Sequence, residues 1–544
     1  VNVQDGQVLS LTPQLGRVSL VELCGSARTA ELARLDSYAR STQYDHRRFD
    51  WDGKMTGYGE QADISPGWYV PLKMRRPRAR YDLPKLITKR LSAMTLGSER
   101  WPELRVDGDP EAEDYIKALA EAAKLPAKML EAREKGGSSG TAVVSFKFAD
   151  GKPRVLVHES RHVHVLRWAD RDERVIGAVL KAYAYPRTVW DQEGRPKQIT
   201  LYFARYWDET KEVVWDPIPE ALARNGAWAT AVKSYAVEHG YGECPVYWAQ
   251  NLPDSEQEDG LSDFEGLLDQ FDEINELLSA TSKGTKANVD PTLVVKDDPG
   301  NNPGVVRKGS GQAIFSKGGA EYLELKGDAV KAGQELVKTL SQMALDVAGV
   351  VLGDPKELGT RAQSAAAMRM LYQPMIAQCD VLRSQYGELI ARLLLGMLRA
   401  ARLINQTEAG EVVLTADGRR VQEKPVVVLP PRFESTGEGD DRTVTVVERT
   451  PGTSENLTLN WPSYFAATAS DVSQDVDAAT KAKGTTISAK TAVKYTAHHF
   501  GVKDVDQEIA EIEAEKELAL ENMRDMAPPP AMGNGPKDED EAED

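Results

Sequence analysis

Apolar residues recur at Ala365, Met368, Leu371, Met375, Cys379, Leu382, Tyr386, Leu389, Leu393 and Met397, every step being three or four positions. That spacing keeps one helical face apolar and predicts a helix from about Thr360 to Ile404. At about 1.5 Å per residue it would run roughly 65 Å, well beyond the width of a small domain. Pro374 lies inside the run and lacks an amide hydrogen, so a kink is expected near it. The breaker-rich loop Gly353–Gly359 precedes this helix, and a second helical run, Asp328–Val350, precedes the loop.

Elsewhere the period changes along the chain. The first 50 residues read as helix and loop, with Leu20, Leu23 and Ala30–Leu35 at helical spacing. Leu83–Leu96 is amphipathic, and Glu111–Glu134 is helical up to the break Gly136-Gly-Ser-Ser-Gly140. β-rich segments follow at Thr141–Phe148, Pro153–His158, Val163–Trp168, Val175–Tyr185, Gln198–Arg205, Glu212–Trp215 and Tyr241–Trp248. They predict a mostly antiparallel sheet on helical supports, an α+β domain closing near residue 250. After the acidic linker 251–260, Ser262-Asp-Phe-Glu265 has the form of a capping box opening a helix to about Asn288. Its apolar stripe is Phe264, Leu267, Leu268, Phe271, Ile274 and Leu277, and its other face carries Asp263, Asp269, Asp272, Glu273 and Glu276.

Short β segments between Pro291 and Leu325 make a small module inserted between two helices: Thr292–Val295, Gly304–Arg307, Ala313–Ser316 and Tyr322–Leu325. Two strands are expected after the long helix, at Glu411–Thr415 and Pro425–Leu429, then a loop-rich stretch to Trp461. Helices are expected at Ser463–Ala469, Asp471–Lys483, Ser488–His499 and Val505–Met526, before a disordered acidic tail.

Charge sharpens this outline. The formal net charge is −17, but residues 1–105 carry 17 Lys and Arg against 12 Asp and Glu, a net of +5. Residues 251–290 carry 2 against 11, and residues 504–544 carry 3 against 15. A conventional DNA-binding protein presents a basic stripe, because phosphate contacts dominate its affinity. This chain either has no nucleic-acid partner or must avoid holding one tightly. The densest basic cluster, Pro71–Arg80, is a phosphate or acidic-partner contact or else a solvated face. Three widely spaced cysteines, Cys24, Cys244 and Cys379, do not form a disulfide framework and fit a reducing compartment. The start Val1-Asn-Val-Gln-Asp lacks a basic region before an apolar core, so no secretory leader is expected, and with no run of 18 uncharged apolar residues no membrane helix is expected either.

Catalytic motifs are weak. Gly136-Gly-Ser138-Ser-Gly140 has the G-x-S-x-G form, but a nucleophile elbow needs a strand before it and a helix after it, and here the order is reversed. A hydrolase using Ser138 is the minor alternative. No Gly-Lys-Ser/Thr ends a phosphate-binding loop. His158, His162 and His164 lack an accompanying acidic or cysteine cluster, and His498 and His499 suit contacts to helix-end carbonyls. No cofactor or metal is expected.

The order of elements resembles the portal, or head-to-tail connector, proteins of tailed bacteriophages over about residues 70–525. Its most specific parts are Leu261-Ser-Asp-Phe-Glu-Gly266, Pro291-Thr-Leu-Val-Val295 and Gly359-Thr-Arg-Ala-Gln-Ser-Ala-Ala-Ala-Met368. The resemblance implies an α+β, predominantly helical portal fold with wing, stem, clip and crown. Residues 61–261 would form the α+β part of the wing, after an N-terminal segment 1–60 without a counterpart. Residues 262–290 and 328–350 would be stem helices around a clip at 291–327. A tunnel loop at 351–361 would lead into the long wing helix 362–404, wing strands 405–470, a helical crown 471–526 and a tail 527–544. It further implies a non-enzymatic ring, usually of twelve subunits, at one capsid vertex of a virion assembled in the host cytoplasm. Double-stranded DNA would pass through, with terminase, head-completion or adaptor proteins, and capsid and scaffold proteins as partners. Lys356, Glu357 and Arg361 would stand at the tunnel loop, Lys331 and Lys338 would face the channel, and Arg307, Lys308 and Phe315 would dock partners at the clip. The acidic stem residues would repel the duplex and keep it centred. The rival is another ring-forming connector or tail protein.

Overall fold

The structure, a computed structural model, describes residues 15–47, 49–51, 70–149, 151–169, 175–190, 193–289, 292–295, 320–323, 328–352, 365–405, 412–414, 420–422, 427–436, 443–465, 469–483, 486, 488–497, 502, 505 and 508–516. The chain divides into two compact units, Val1–Leu352 with Tyr372–Tyr464, and Gly353–Leu371 with Phe465–Asp544.

The first unit opens with helices α1 (Leu20–Cys24), α2 (Ala27–Ala39) and α3 (Leu83–Leu96), then strand β1 (Glu103–Val106) and helices α4 (Pro110–Ala122) and α5 (Leu125–Ser139). The single helix expected over Glu111–Glu134 is therefore two. Pro126 has no amide hydrogen to continue α4 but suits the first turn of α5, and Lys124 turns between them at φ 52°. Helix α5 also runs through the glycine-rich stretch expected to break it and ends at Gly140 in the left-handed conformation.

Strands β2 (Thr141–Ala149) and β3 (Lys152–His158) precede β4 (Val163–Trp168), β5 (Ile176–Trp190), β6 (Pro196–Asp208), β7 (Lys211–Trp215) and β8 (Ile218–Pro219). The short helix α6 (Glu220–Ala223), β9 (Lys233–Glu238) and β10 (Val246–Gln250) complete the series. One antiparallel sheet has the order β10-β2-β3, and a second has the order β4-β5-β6-β7-β9 with β8 on β6. Alternation along β5 sends Ala178, Leu180 and Ala182 to one core with Leu20, Trp215 and Trp228. Val179 points the other way, joining Trp207, Val143 and Trp248. Strand β9 was not expected: its sequence Lys-Ser-Tyr-Ala-Val-Glu has little apolar character, and pairing with β7 makes it an exposed edge strand.

Helices α7 (Leu268–Val289) and α8 (Asp328–Val347) flank the strand pair β11 (Thr292–Val295) and β12 (Ala320–Leu323). The β segments expected at Gly304–Arg307 and Ala313–Ser316 lie outside the described residues. The long helical run divides at Tyr372 into α9 (Ala365–Leu371) and α10 (Gln373–Asn405). Pro374 thus sits in the first turn of a helix, where its missing amide hydrogen costs nothing, and does not kink a continuous one. Helix α10 buries Cys379, Leu382, Tyr386, Leu389, Leu393 and Met397, the stripe read from the sequence.

Beyond α10, β13 (Val412–Leu414) pairs with β14 (Arg420–Gln422), and β15 (Arg432–Thr436) with β16 (Thr443–Val447). The strand expected at Pro425–Leu429 is not formed over its described residues, and the stretch expected to be loop holds β15, β16 and β17 (Leu457–Asn460). Strand β17 returns to pair with β1. The second unit contains α9, α11 (Ala469–Ala482), α12 (Ala489–Thr496) and a helical segment at 508–516. Ser488 caps α12 by accepting from the Thr491 amide at 3.1 Å, and Lys490 pairs with Glu513 at 3.1 Å.

Candidate functional site: the α7–α8 hairpin and its anchor

Helices α7 and α8 pack antiparallel. Gln270 Nε2 donates to the Leu340 carbonyl at 2.8 Å, while Gly333 lies opposite Thr281 and Gly284 opposite Val330. The two glycines allow close approach: a Cβ at Gly333 would stand 2.8 Å from Thr281 Oγ1. Val337, Ala344 and Leu345 form the buried side of α8. At about 100° per residue its outward half has two edges. Lys331 and Lys338, seven residues apart and exposed, make a cationic edge. Leu336, Met343 and Val347, exposed by 46%, 53% and 74%, make an apolar one. Lys338 also lines a groove of ≈ 650 Å³ between the two helices and residues 79–81.

The entry to α7 is fixed by a buried polar cluster. Arg133 and Asp263 have fully buried side chains and form a bidentate pair, with Nη1 donating to Oδ2 at 3.1 Å and Nη2 to Oδ1 at 3.0 Å. Asn251 Nδ2 donates to Asp263 Oδ1 at 3.0 Å, and the Tyr386 hydroxyl donates to Asn251 Oδ1 at 3.1 Å. Burial opposes the Arg133 charge, but Asp263 more than offsets it and the guanidinium is held more firmly protonated than usual. The cluster joins α5, the end of β10, the start of α7 and α10. It also explains the glycines of α5. A Cβ at Gly137 would collide with Arg133 and Asp263, and one at Gly136 with the Tyr386 hydroxyl. Ser138, between them and the cap, is half-buried and donates to the Glu134 carbonyl at 2.9 Å, bonded within its own helix.

A second cluster holds the flank of α7. Asp272 accepts from the Tyr38 hydroxyl at 3.0 Å and the Tyr44 hydroxyl at 2.6 Å. Burial, with the Asp272 carboxylate second for Tyr38, pushes both phenols well above their ordinary range. Arg47 donates to Glu276 at 3.2 Å and stacks 4.5 Å above the Tyr44 ring. Asn275 Oδ1 accepts from the Tyr81 amide at 2.7 Å, and Ser279 Oγ from the Arg78 and Ala79 amides at 2.9 and 3.1 Å. Residues 38–47 and 75–81 therefore clasp α7.

These contacts revise the acidic face. Asp263 lies ahead of the helix in a buried ion pair, Asp272 and Glu276 face protein partners, and Asp269 and Glu273 are exposed. The capping box is half formed: Glu265 accepts from the Ser262 amide at 3.3 Å, but Ser262 Oγ takes the Phe264 amide. The basic cluster 71–80 is used internally, with Arg76 on Asp45 at 2.6 Å and Arg75 on the Val70 and Trp51 carbonyls. His158 lies between Ser145 Oγ (2.7 Å) and Lys181 Nζ (3.2 Å). Lysine can only donate, so Nδ1 accepts and Nε2 carries the proton. Among the described residues no group of three or more His, Cys, Asp or Glu is placed to hold a metal ion, and no helix is long and apolar enough to cross a membrane. Lys356, Glu357, Arg361, Arg307, Lys308, Phe315, His498 and His499 lie outside the described residues.

The family model described as "Phage portal protein, SPP1 Gp6-like" matches residues 72–423, about two thirds of the chain. Among solved structures, the chain is similar to one in the virion of a native gene transfer agent particle, at 13% identity and a TM-score of 0.28, covering 59% of this chain and 76% of that one. It is also similar to a chain in the neck of the native particle computed with C12 symmetry, at 14% identity and a TM-score of 0.30, covering 58% and 76%. No curated protein matches.

Proposed function

The chain belongs to the phage portal protein family, SPP1 Gp6-like, a structural family with a portal or connector role, and from that membership we propose that it is one subunit of a ring at a capsid vertex. Double-stranded DNA enters and leaves the virion through the ring, which has twelve subunits and assembles in the host cytoplasm. The observation that carries this reading is the family match, which spans both helices of the α7–α8 hairpin and the module between them. In the ring, α7 and α8 are the stem and residues 291–327 the clip, where Arg307, Lys308 and Phe315 meet head-completion proteins and terminase. Residues 351–361 are the tunnel loop.

The edges of α8 support these roles. A row of exposed Leu336, Met343 and Val347 is costly for a lone subunit and suits the flank of a neighbour. Lys331 and Lys338 give weak, spaced phosphate contacts, and exposed Asp269 and Glu273 repel the duplex. A sliding polymer requires this balance, because a continuous basic wall would arrest it. Lys356 and Arg361 act in the same way at the tunnel loop, beside Glu357.

Negative-stain microscopy of the purified chain tests the ring. Annular particles with a central hole are expected; monomers or open filaments would overturn it. For the channel, Lys356→Glu with Arg361→Glu is expected to lower packaging yield or DNA retention, and unchanged values of both would remove the loop from the DNA path.

A further inference from the structure

Strands β5 and β6 continue as a two-stranded ribbon well beyond the sheet. From Pro186 to Trp190 every β5 residue is exposed, and on β6 so are Pro196, Lys197, Gln198 and Thr200. Register puts Arg187 opposite Ile199 and Val189 opposite Lys197, a cationic and apolar face, while Trp190 pairs with Pro196 on the other face. Trp190 is 68% exposed. Such a ribbon has no core of its own, and an isolated hairpin is at best marginal in water.

The complementary feature lies at the ribbon's other end. A cavity of ≈ 660 Å³ is walled by Trp168 and Trp248 and rimmed by Asp254, Glu256, Glu258 and Glu388. Among the described residues of its lining, Arg392 is the one cation, and four carboxylates against one guanidinium leave a net of −3. Trp248 is 6% exposed and forms the floor of the cavity, backed by the core around Val143 and Trp207. Trp168 pairs with Ile176 at the base of the arm. Trp190 is fourteen residues further on, about 46 Å at ~3.3 Å per residue. A paired ribbon cannot double back over its own length, so arm and cavity meet only between copies.

We propose that the arm end of one subunit, Trp190 with Arg187 and Lys197, docks in the Trp168–Trp248 cavity of the next copy. The contact is heterologous, arm to cavity, and repeats around a closed ring. It rests on the ring reading above. The cations meet the acidic rim, and Trp190 meets the apolar wall at Trp168 and Trp248.

The experiment uses the full chain. Arg187→Glu with Lys197→Glu, and separately Glu256→Lys with Glu258→Lys, are each expected to raise the concentration for half-assembly roughly tenfold or more in sedimentation, as broken interfacial charge pairs do. All four changes together restore assembly. Trp190→Cys with Glu256→Cys is expected to give a ladder of disulfide-linked oligomers on non-reducing gels. Wild-type rings with unaffected reversals and no ladder would overturn the arm contact and leave the ring reading standing. A wild-type chain that never assembles would overturn both.

Discussion

Removing one partner of the Arg133–Asp263 pair should loosen the entry to α7 far more than an ordinary surface substitution. In Asp263→Ala the guanidinium keeps its charge with no counterion, inside a cluster where both side chains are fully buried. Breaking such a pair from one side costs about 3–5 kcal/mol, because an uncompensated buried charge remains. The cost falls where Asn251 and Asp263 donate backbone hydrogen bonds to the Gly140 and Gly137 carbonyls, both at 2.8 Å. Native-state hydrogen exchange on peptides covering residues 249–265 reads that opening directly. At about 1.4 kcal/mol per tenfold, protection there should fall by roughly two to three and a half orders of magnitude. Arg133→Met with Asp263→Asn removes both charges and keeps an acceptor for Asn251, so it should recover at least half of the loss. A drop under about tenfold in Asp263→Ala, or a double variant no better than the single, would refute the account.

Gly137→Ala should act through the same cluster, costing about 1–3 kcal/mol by overpacking, seen as a lower denaturation midpoint, whereas Ser138→Ala should change it by less than about 0.5 kcal/mol. Acid should weaken the first unit earlier than its carboxylates dictate. Burial, with Arg161 and Arg28 next in effect, lowers His162 to about 4 and His164 to about 3. The unfolded imidazoles bind protons near pH 6.5 while the folded ones resist, so stability is full above that pH. It falls by up to ~1.4 kcal/mol per pH unit for each site as pH drops toward about 4. His162→Gln with His164→Gln should shrink the fall in thermal midpoint between pH 7 and 5, with buried His158 and His239, also held low, keeping the remainder. Tyr44→Phe should release part of α7 by removing the hydroxyl that joins Asp272 to Asn275, at a cost of about 1–3 kcal/mol, measurable as faster exchange along residues 268–280.

The elements legible in the sequence are those whose signal is local and repeated. The stripe on α10 survives because seven apolar residues from Met375 to Met397 agree on one face, and the core strands survive because alternation matches a sheet buried at its base. Misreadings arose where a distant residue decides. The glycines of α5 look like a break until Tyr386, Arg133 and Asp263 are seen to need the space a Cβ would fill. Pro374 suggests a kink and Pro126 passes unmarked within one helical run, because proline in a helical run and proline in a first turn are the same letter. Asp263, Asp272 and Glu276 looked like one solvated face, yet Asp263 bonds a partner 130 positions away and Asp272 one 228 away. No periodicity carries such partners.

The pairing of β1 with β17 sets an order of events during synthesis. Val106 meets Leu457, so at ~5–20 residues per second the first strand waits roughly 20–70 s for its partner. The cavity beside Trp248 is also late, because Glu388 and Arg392 come from α10, while the β5–β6 arm is made long before. A growing chain thus displays its plug well before its socket. If the arm docks as proposed, no chain can receive a neighbour's arm before its own α10 has been made.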